Sequence, residues 1–310
     1  MCHCDIIKPF FFMTEPTLNY VHCPDTAGGH RMAYWQWGDP DSGHVVICVH
    51  GLSRQGRDFD VLARALCAST GNRIRVICPD VVGRGQSDWL KDPAGYHISA
   101  YASDLLRLLA HLKPTLLDWL GTSMGGLIGL AVCGQKEWPL SVPVRRLVLN
   151  DVGPTIEWQA VLRIGEYLGH PVQFASVQAG ADALRSTSLS FGPHTPAQWL
   201  ALSRPMLKSE PGLAGHYTLH YDPAIALPFR AMTQASAEQG EAQLWHLYDQ
   251  IEANTLLMRG ADSDLLSRET ALAMTQRGPR ARLVEFEGVG HAPTFIADDQ
   301  VQTAVQFLLD

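Results

Sequence analysis

An α/β fold, with a mostly parallel central sheet, helices on both faces and an inserted helical cap, is predicted by three features of the sequence. Short apolar runs alternate with amphipathic helical segments over most of the chain. One strand-to-helix junction carries a serine between glycines, Gly121-Thr122-Ser123-Met124-Gly125. The stretch 154–244 breaks the alternation, offering helical segments and no convincing buried strand.

Met32–Gly38 has the aromatic enrichment of a strand and stops at Gly38-Asp39-Pro40. Val45–Val49 is continuously apolar, as a strand covered on both faces must be. Asp58–Cys67 puts Phe59, Leu62, Ala63 and Leu66 on one side of a helix, and Arg73–Cys78 is the next strand. Ile98–Leu112 is an amphipathic helix closed by Pro114. From Thr115 to Val132 the chain reads as a strand, a sharp turn and a helix of small and apolar residues. Strands Arg146–Asn150, Thr255–Met258 and Ala281–Phe286 and helices Ser267–Arg277 and Asp298–Leu309 continue the pattern, which requires a mostly parallel sheet with crossover helices.

Within 154–244, helices are expected at Trp158–Tyr167, Ala179–Leu189, Thr195–Leu207 and Pro223–Ala231. An insertion of this kind covers the C-terminal edge of the sheet, where ligands of open α/β sheets bind. Trp158, Phe191, Trp199 and Tyr221 are its candidate pocket residues, although packing of cap on core uses the same residue types. The expected organisation is an extension at 1–16, a core of 17–153 and 245–310, and a cap of 154–244.

Apolar residues make up 46% and charged residues 18%, the balance of a soluble globular chain. A net charge of −7 argues against nucleic acid or a membrane surface as partner. No apolar run approaches the ~18 residues of a membrane span. The seven cysteines are odd in number and scattered, several in strand-like runs, so they read as thiols of a reducing compartment and the location as cytoplasmic. Residues 1–13 lack the basic start and cleavage site of a signal peptide, and Cys2-His3-Cys4 alone is a weak metal motif. Oligomeric state is not legible.

The chemistry centres on Gly121–Gly125, a G-x-S-x-G elbow in which Ser123 sits on a strained turn whose neighbours need no Cβ. Such a turn leaves backbone N–H groups at a helix N-terminus, suited to a developing oxyanion. Met124 N–H is one candidate donor, and Leu52 N–H, in the turn after Val45–Val49, is the other. His50 beside it reads as structural. His291, in Gly288-Val-Gly-His-Ala-Pro293 after a late strand, is positioned as the base. Its acid partner is expected at a strand end: Asp264 is preferred, with Asp262 and Asp151 as alternatives. Gly83–Ser87 lacks a dinucleotide-type glycine nest and reads as a structural loop, so no cofactor is expected, nor a metal. Arg54 and Arg57 near the oxyanion turn either pair locally or meet an acidic substrate.

With these residues in place, the chain resembles the α/β-hydrolase-fold enzymes from about Asn19 to Asp310, in the order Ser123, Asp264, His291. More narrowly it is similar to bacterial capped carboxylesterases of the hydroxyalkanoate-oligomer hydrolase and polyester-active type. The segments His50–Asp58, Asp80–Trp89, Asn150–Pro154, His220–Ile225 and Arg259–Ser267 carry that likeness. Gly260-Ala-Asp-Ser-Asp264 departs by one residue from the family's common Gly-x-x-Asp spacing. The resemblance implies cleavage of small esters or hydroxyacid oligomers through an acyl-enzyme, with no cofactor. A C–C bond hydrolase on the same scaffold and a non-enzymatic small-ligand receptor are the alternatives.

Overall fold

The computed structural model describes residues 15–138, 140–210 and 212–310; the expectations for Cys2-His3-Cys4 and for nearly all of the N-terminal extension lie outside the described residues. Strands β1 (Thr17–Cys23), β2 (His30–Gly38) and β3 (His44–Val49) open the fold. Then α1 (Asp60–Ser69), β4 (Arg75–Pro79), α2 (Ile98–Leu112), β5 (Leu116–Thr122), α3 (Met124–Gly134) and β6 (Val144–Asn150) alternate. The interruption comprises α4 (Trp158–Tyr167), α5 (Val177–Thr187), α6 (Pro196–Ser203), β7 (Leu207–Ser209), β8 (Tyr217–Leu219), α7 (Ala226–Arg230) and α8 (Gln234–Asp249). The chain then returns to the sheet with β9 (Asn254–Gly260), α9 (Arg268–Met274), β10 (Arg282–Phe286) and α10 (Asp298–Leu309).

Eight strands form one sheet in the order β1-β2-β4-β3-β5-β6-β9-β10. Pairing is antiparallel from β1 through β2 to β4 and parallel from there on. The period-two geometry of β3 sends Val45, Ile47 and Val49 into one core with α2 and α3, and Val46 and Cys48 into a second core with α1 and α10. That two-sided burial is why its sequence is unbroken by polar residues. β1 is one of the two edge strands and buries only Val21 and Cys23, which explains its weak sequence signal. Among the described residues no helix is long and apolar enough to cross a membrane.

Two expectations about the interruption are corrected. It does carry strands: β7 and β8 pair as a short antiparallel ribbon, Leu207 with Leu219 and Ser209 with Tyr217. Three residues per strand are too few to show an alternation. The division between 244 and 245 falls inside α8, which runs unbroken to Asp249. A Cβ on Gly134 of α3 would lie 2.3 Å from the Leu247 carbonyl oxygen, so this glycine lets the end of α8 lie directly on a core helix.

Candidate active site

The turn between β5 and α3 is built from the glycines that flank it. Ser123 has φ 52° and ψ −117°, a strained conformation for a side-chain-bearing residue. A Cβ on Gly121 would meet the Gly125 carbonyl at 2.2 Å, and one on Gly125 would meet the Val49 carbonyl at 2.0 Å. The crossing backbones therefore leave room only for hydrogen at both positions. The Asn150 carbonyl accepts from Ser123 N–H at 3.0 Å. Asn150 Nδ2 donates to Thr122 Oγ1 and to the Pro293 carbonyl, tying the elbow to the loop that carries His291.

His291 joins two side chains. Its Nε2 is 3.0 Å from Ser123 Oγ, and its Nδ1 is 2.7 Å from Asp151 Oδ2. With a carboxylate at Nδ1 the proton belongs there, leaving Nε2 to accept from the serine hydroxyl. Asp151, fully buried just past β6, also accepts from Gly260 N–H at 2.9 Å on Oδ1 and from Ser263 Oγ–H at 2.6 Å on Oδ2. From the segment after α5, Ser190 braces the histidine loop: its hydroxyl donates to the His291 carbonyl and its carbonyl accepts from Gly290 N–H.

The preference for Asp264 is thereby corrected. Asp264 is about half exposed and forms a two-pronged pair with Arg163 of α4, at 2.8 and 3.0 Å. Asp262 holds the turn through its backbone, its N–H donating to the Val289 carbonyl. The physical reason is strand order. β6 and β9 are neighbours, with Asn150 opposite Met258, so the residues following both strands meet at one sheet edge. There the Gly-x-x position counted from Gly260 is Ser263, whose hydroxyl reaches Asp151. Ser263 was not singled out from the sequence; that spacing was its only signal.

Leu52 and Met124 come together around a buried cation. Arg84, fully buried, donates from Nε to the Leu52 carbonyl at 2.8 Å and from Nη1 to the Val82 carbonyl at 2.7 Å. Its Nη2 lies 3.6 Å from Met124 Sδ, and its guanidinium stands 4.9 Å over the Tyr101 ring. The loop 83–87 is thus structural, as the sequence suggested. Among the described residues, no hydrogen bond takes up the N–H of Leu52 or of Met124, so both stay available to an incoming oxygen.

His50 braces the same turn. Its Nε2 accepts from Val81 N–H at 2.9 Å, so Nδ1 carries the proton and donates to the Gly51 carbonyl at 2.7 Å. Burial holds its pKa down at about 3. An unfolded histidine titrates near ~6.5, so between these values only the unfolded chain takes the proton. Stability is therefore full above the upper value and falls as pH drops through the window, by about 1.4 kcal/mol per pH unit. His50→Gln, which cannot titrate, should show a shallower dependence in urea unfolding between roughly pH 6 and 4.5, by one proton. Identical slopes would remove His50 from this role.

Ser123 and His291 open into a cavity of about 250 Å³. Its walls come from the turn after β3, α4, α5, the ribbon and the loop around Phe295. Of the four aromatic candidates, Phe191 and Tyr221 line it and Trp158 and Trp199 do not. Trp199 is buried behind Phe191, stacked on it at 6.2 Å. Arg54 lines the cavity while paired with Asp58 at 2.6 Å, whereas Arg57 pairs with Asp60 and stays outside it. Arg163, Ile164 and Tyr167 of α4 also face the cavity. The helix was legible in the sequence, but nothing marked which of its faces looks inward.

A hydrogen-bonded serine, histidine and aspartate at the C-terminal edge of such a sheet define a hydrolase class, and the chain belongs to the alpha/beta hydrolase fold family, whose profile matches residues 44–297. It is 50% identical over 294 residues to the 3-hydroxybutyrate-oligomer hydrolase of Cupriavidus necator, covering 94% of this chain and 98% of that protein. It is 25% identical to the 2-hydroxy-6-oxo-2,4-heptadienoate hydrolase of Pseudomonas putida, over 82% of this chain and 84% of that protein. Among solved structures, an alpha/beta hydrolase from Novosphingobium aromaticivorans superposes with a TM-score of 0.80 at 30% identity, covering 96% of this chain and 99% of that one.

Proposed function

We propose that the protein is a serine carboxylic ester hydrolase that cleaves short hydroxyacid oligomers of the 3-hydroxybutyrate type through an acyl-enzyme. One observation carries the chemistry: the hydrogen-bonded chain from Ser123 Oγ through His291 to Asp151 Oδ2, open to a closely lined cavity. The half-identical relative, matched over nearly its full length, supports the substrate class.

In this reading His291 Nε2 takes the Ser123 proton as Oγ attacks the ester carbonyl. Leu52 and Met124 N–H groups hold the tetrahedral oxyanion, and Arg84 fixes the Leu52 backbone through its carbonyl while packing on the Met124 side chain. The imidazolium, stabilised by Asp151, donates its proton to the leaving hydroxyl of the oligomer. Water activated by the same nitrogen then releases the acid and frees Ser123. The segment from α4 through the β7–β8 ribbon acts as the cap that shapes the acyl pocket. Cys23, Cys48, Cys67 and Cys78 are buried free thiols, and a reducing cytoplasmic location suits them.

Incubation with 3-hydroxybutyrate dimer and trimer, beside a p-nitrophenyl ester series of rising acyl length, tests the assignment. Release of monomer and faster turnover of short esters are expected. Inertness toward all of these, with cleavage of a vinylogous diketone, would move the protein to C–C bond hydrolysis.

A further inference from the structure

Away from the catalytic cavity, three buried side chains of different chemistry converge between the β1–β2 hairpin and α2. Cys23 ends β1, His30 begins β2 directly opposite it, and Asp104 projects from α2. All three are buried, at 0%, 7% and 5% exposure, and none lines the cavity. One sulfur, one nitrogen and one oxygen lie within 4.8 Å of one another. We infer that Cys23, His30 and Asp104 form a binding site for a divalent cation of the zinc class, a structural cross-link between the sheet edge and α2.

The histidine is oriented as a metal ligand is. Its Nδ1 is 3.0 Å from Asp25 Oδ2, and its Nε2 points at Asp104 Oδ2, 2.9 Å away. Asp25 is itself fixed, its Oδ1 accepting from Ala27 N–H and Gly29 N–H at 2.7 Å each. A carboxylate behind a ligating imidazole sets the ring and raises its basicity. Gly29 makes the turn possible: its φ is +84°, and a Cβ there would lie 2.5 Å from the His22 ring.

Size and charge both fit. A tetrahedral ion with bonds of ~2.0–2.3 Å holds its ligand atoms roughly 3.3–3.7 Å apart. Opening the His30–Asp104 contact by about half an ångström and drawing Cys23 inward meets that spacing. Counted as two carboxylates, one imidazolium and one neutral thiol, the metal-free cluster sums to one negative charge. With the ion bound, two aspartates, neutral imidazole and thiolate around a doubly charged cation sum to the same. The ion replaces two protons, so the buried cluster keeps its net charge. Thiolate, imidazole and carboxylate together select zinc over magnesium or calcium, which favour all-oxygen sites.

The test uses the full chain carrying Cys2→Ser and Cys4→Ser, so that the N-terminal thiols contribute nothing. Cobalt titration should produce a thiolate-to-cobalt charge-transfer band and tetrahedral visible bands at one ion per chain, both erased by zinc. Zinc at about a hundredfold over Kd should raise Tm by ~5 °C. Cys23→Ala should abolish the band, and Asp25→Asn, which keeps an oxygen acceptor for the Ala27 and Gly29 N–H groups, should weaken zinc binding roughly 10–100-fold. Absence of a thiolate band in the parent, its survival in Cys23→Ala, or zinc affinity unmoved by Asp25→Asn would each overturn the assignment.

Discussion

Ser123→Ala is expected to lower kcat for ester hydrolysis by about 10⁵–10⁶-fold while Tm stays near that of the parent. The size follows from what is removed. Without Oγ no covalent intermediate forms, and the oxyanion donors with substrate binding alone leave only a small residual rate. The fold should tolerate the change, because alanine accepts the positive φ of this turn no worse than serine, and the Asn150 carbonyl bonds to the backbone N–H rather than to the side chain. Parallel kinetics and thermal melts of the two proteins check both halves. Turnover within about tenfold of the parent would exclude Ser123 as nucleophile.

Asp151→Asn should cost about 10⁴-fold in kcat, against no more than a few-fold for Asp264→Asn. Asp151 is fully buried and accepts three hydrogen bonds, from His291, Ser263 and Gly260. An amide there presents N–H to His291 Nδ1, favours the tautomer with its proton on Nε2 and removes the base. Among the described residues Asp264 pairs with Arg163 alone, both partners well exposed, and such pairs contribute about 0–1 kcal/mol. The reverse ranking of the two variants would return the acid to the position after β9.

Ser123 and His291 were legible because each depends on local sequence: an elbow needs small residues at fixed offsets, and the histidine follows a late strand. The acid depends on which strand ends lie side by side. Asp151, Asp262 and Asp264 all follow strands, and only the neighbouring register of β6 and β9 shows that Asp151 reaches His291 while Ser263 fills the place beside it. The parallel core was readable for a similar reason to the elbow, since strands such as β3, buried on both faces, are written as unbroken apolar runs. Pocket walls were not. Phe191 and Trp199 are alike in composition and stacked on one another, yet only Phe191 faces the cavity. The ribbon of β7 and β8 was too short to leave a pattern, and nothing in the sequence of α8 marked where the interruption ends and the return to the sheet begins.

The most direct measurement is covalent. Treating the protein with a fluorophosphonate serine-hydrolase probe and mapping the adduct by peptide mass spectrometry, with oligomer hydrolysis followed in the same samples, asks whether an activated serine performs the reaction. The expected result is one adduct per chain, on the peptide containing Ser123, with hydrolysis lost in proportion and no label in Ser123→Ala. Full oligomer turnover by an unlabelled protein, or label on another residue that tracks the loss of activity, would contradict the acyl-enzyme account.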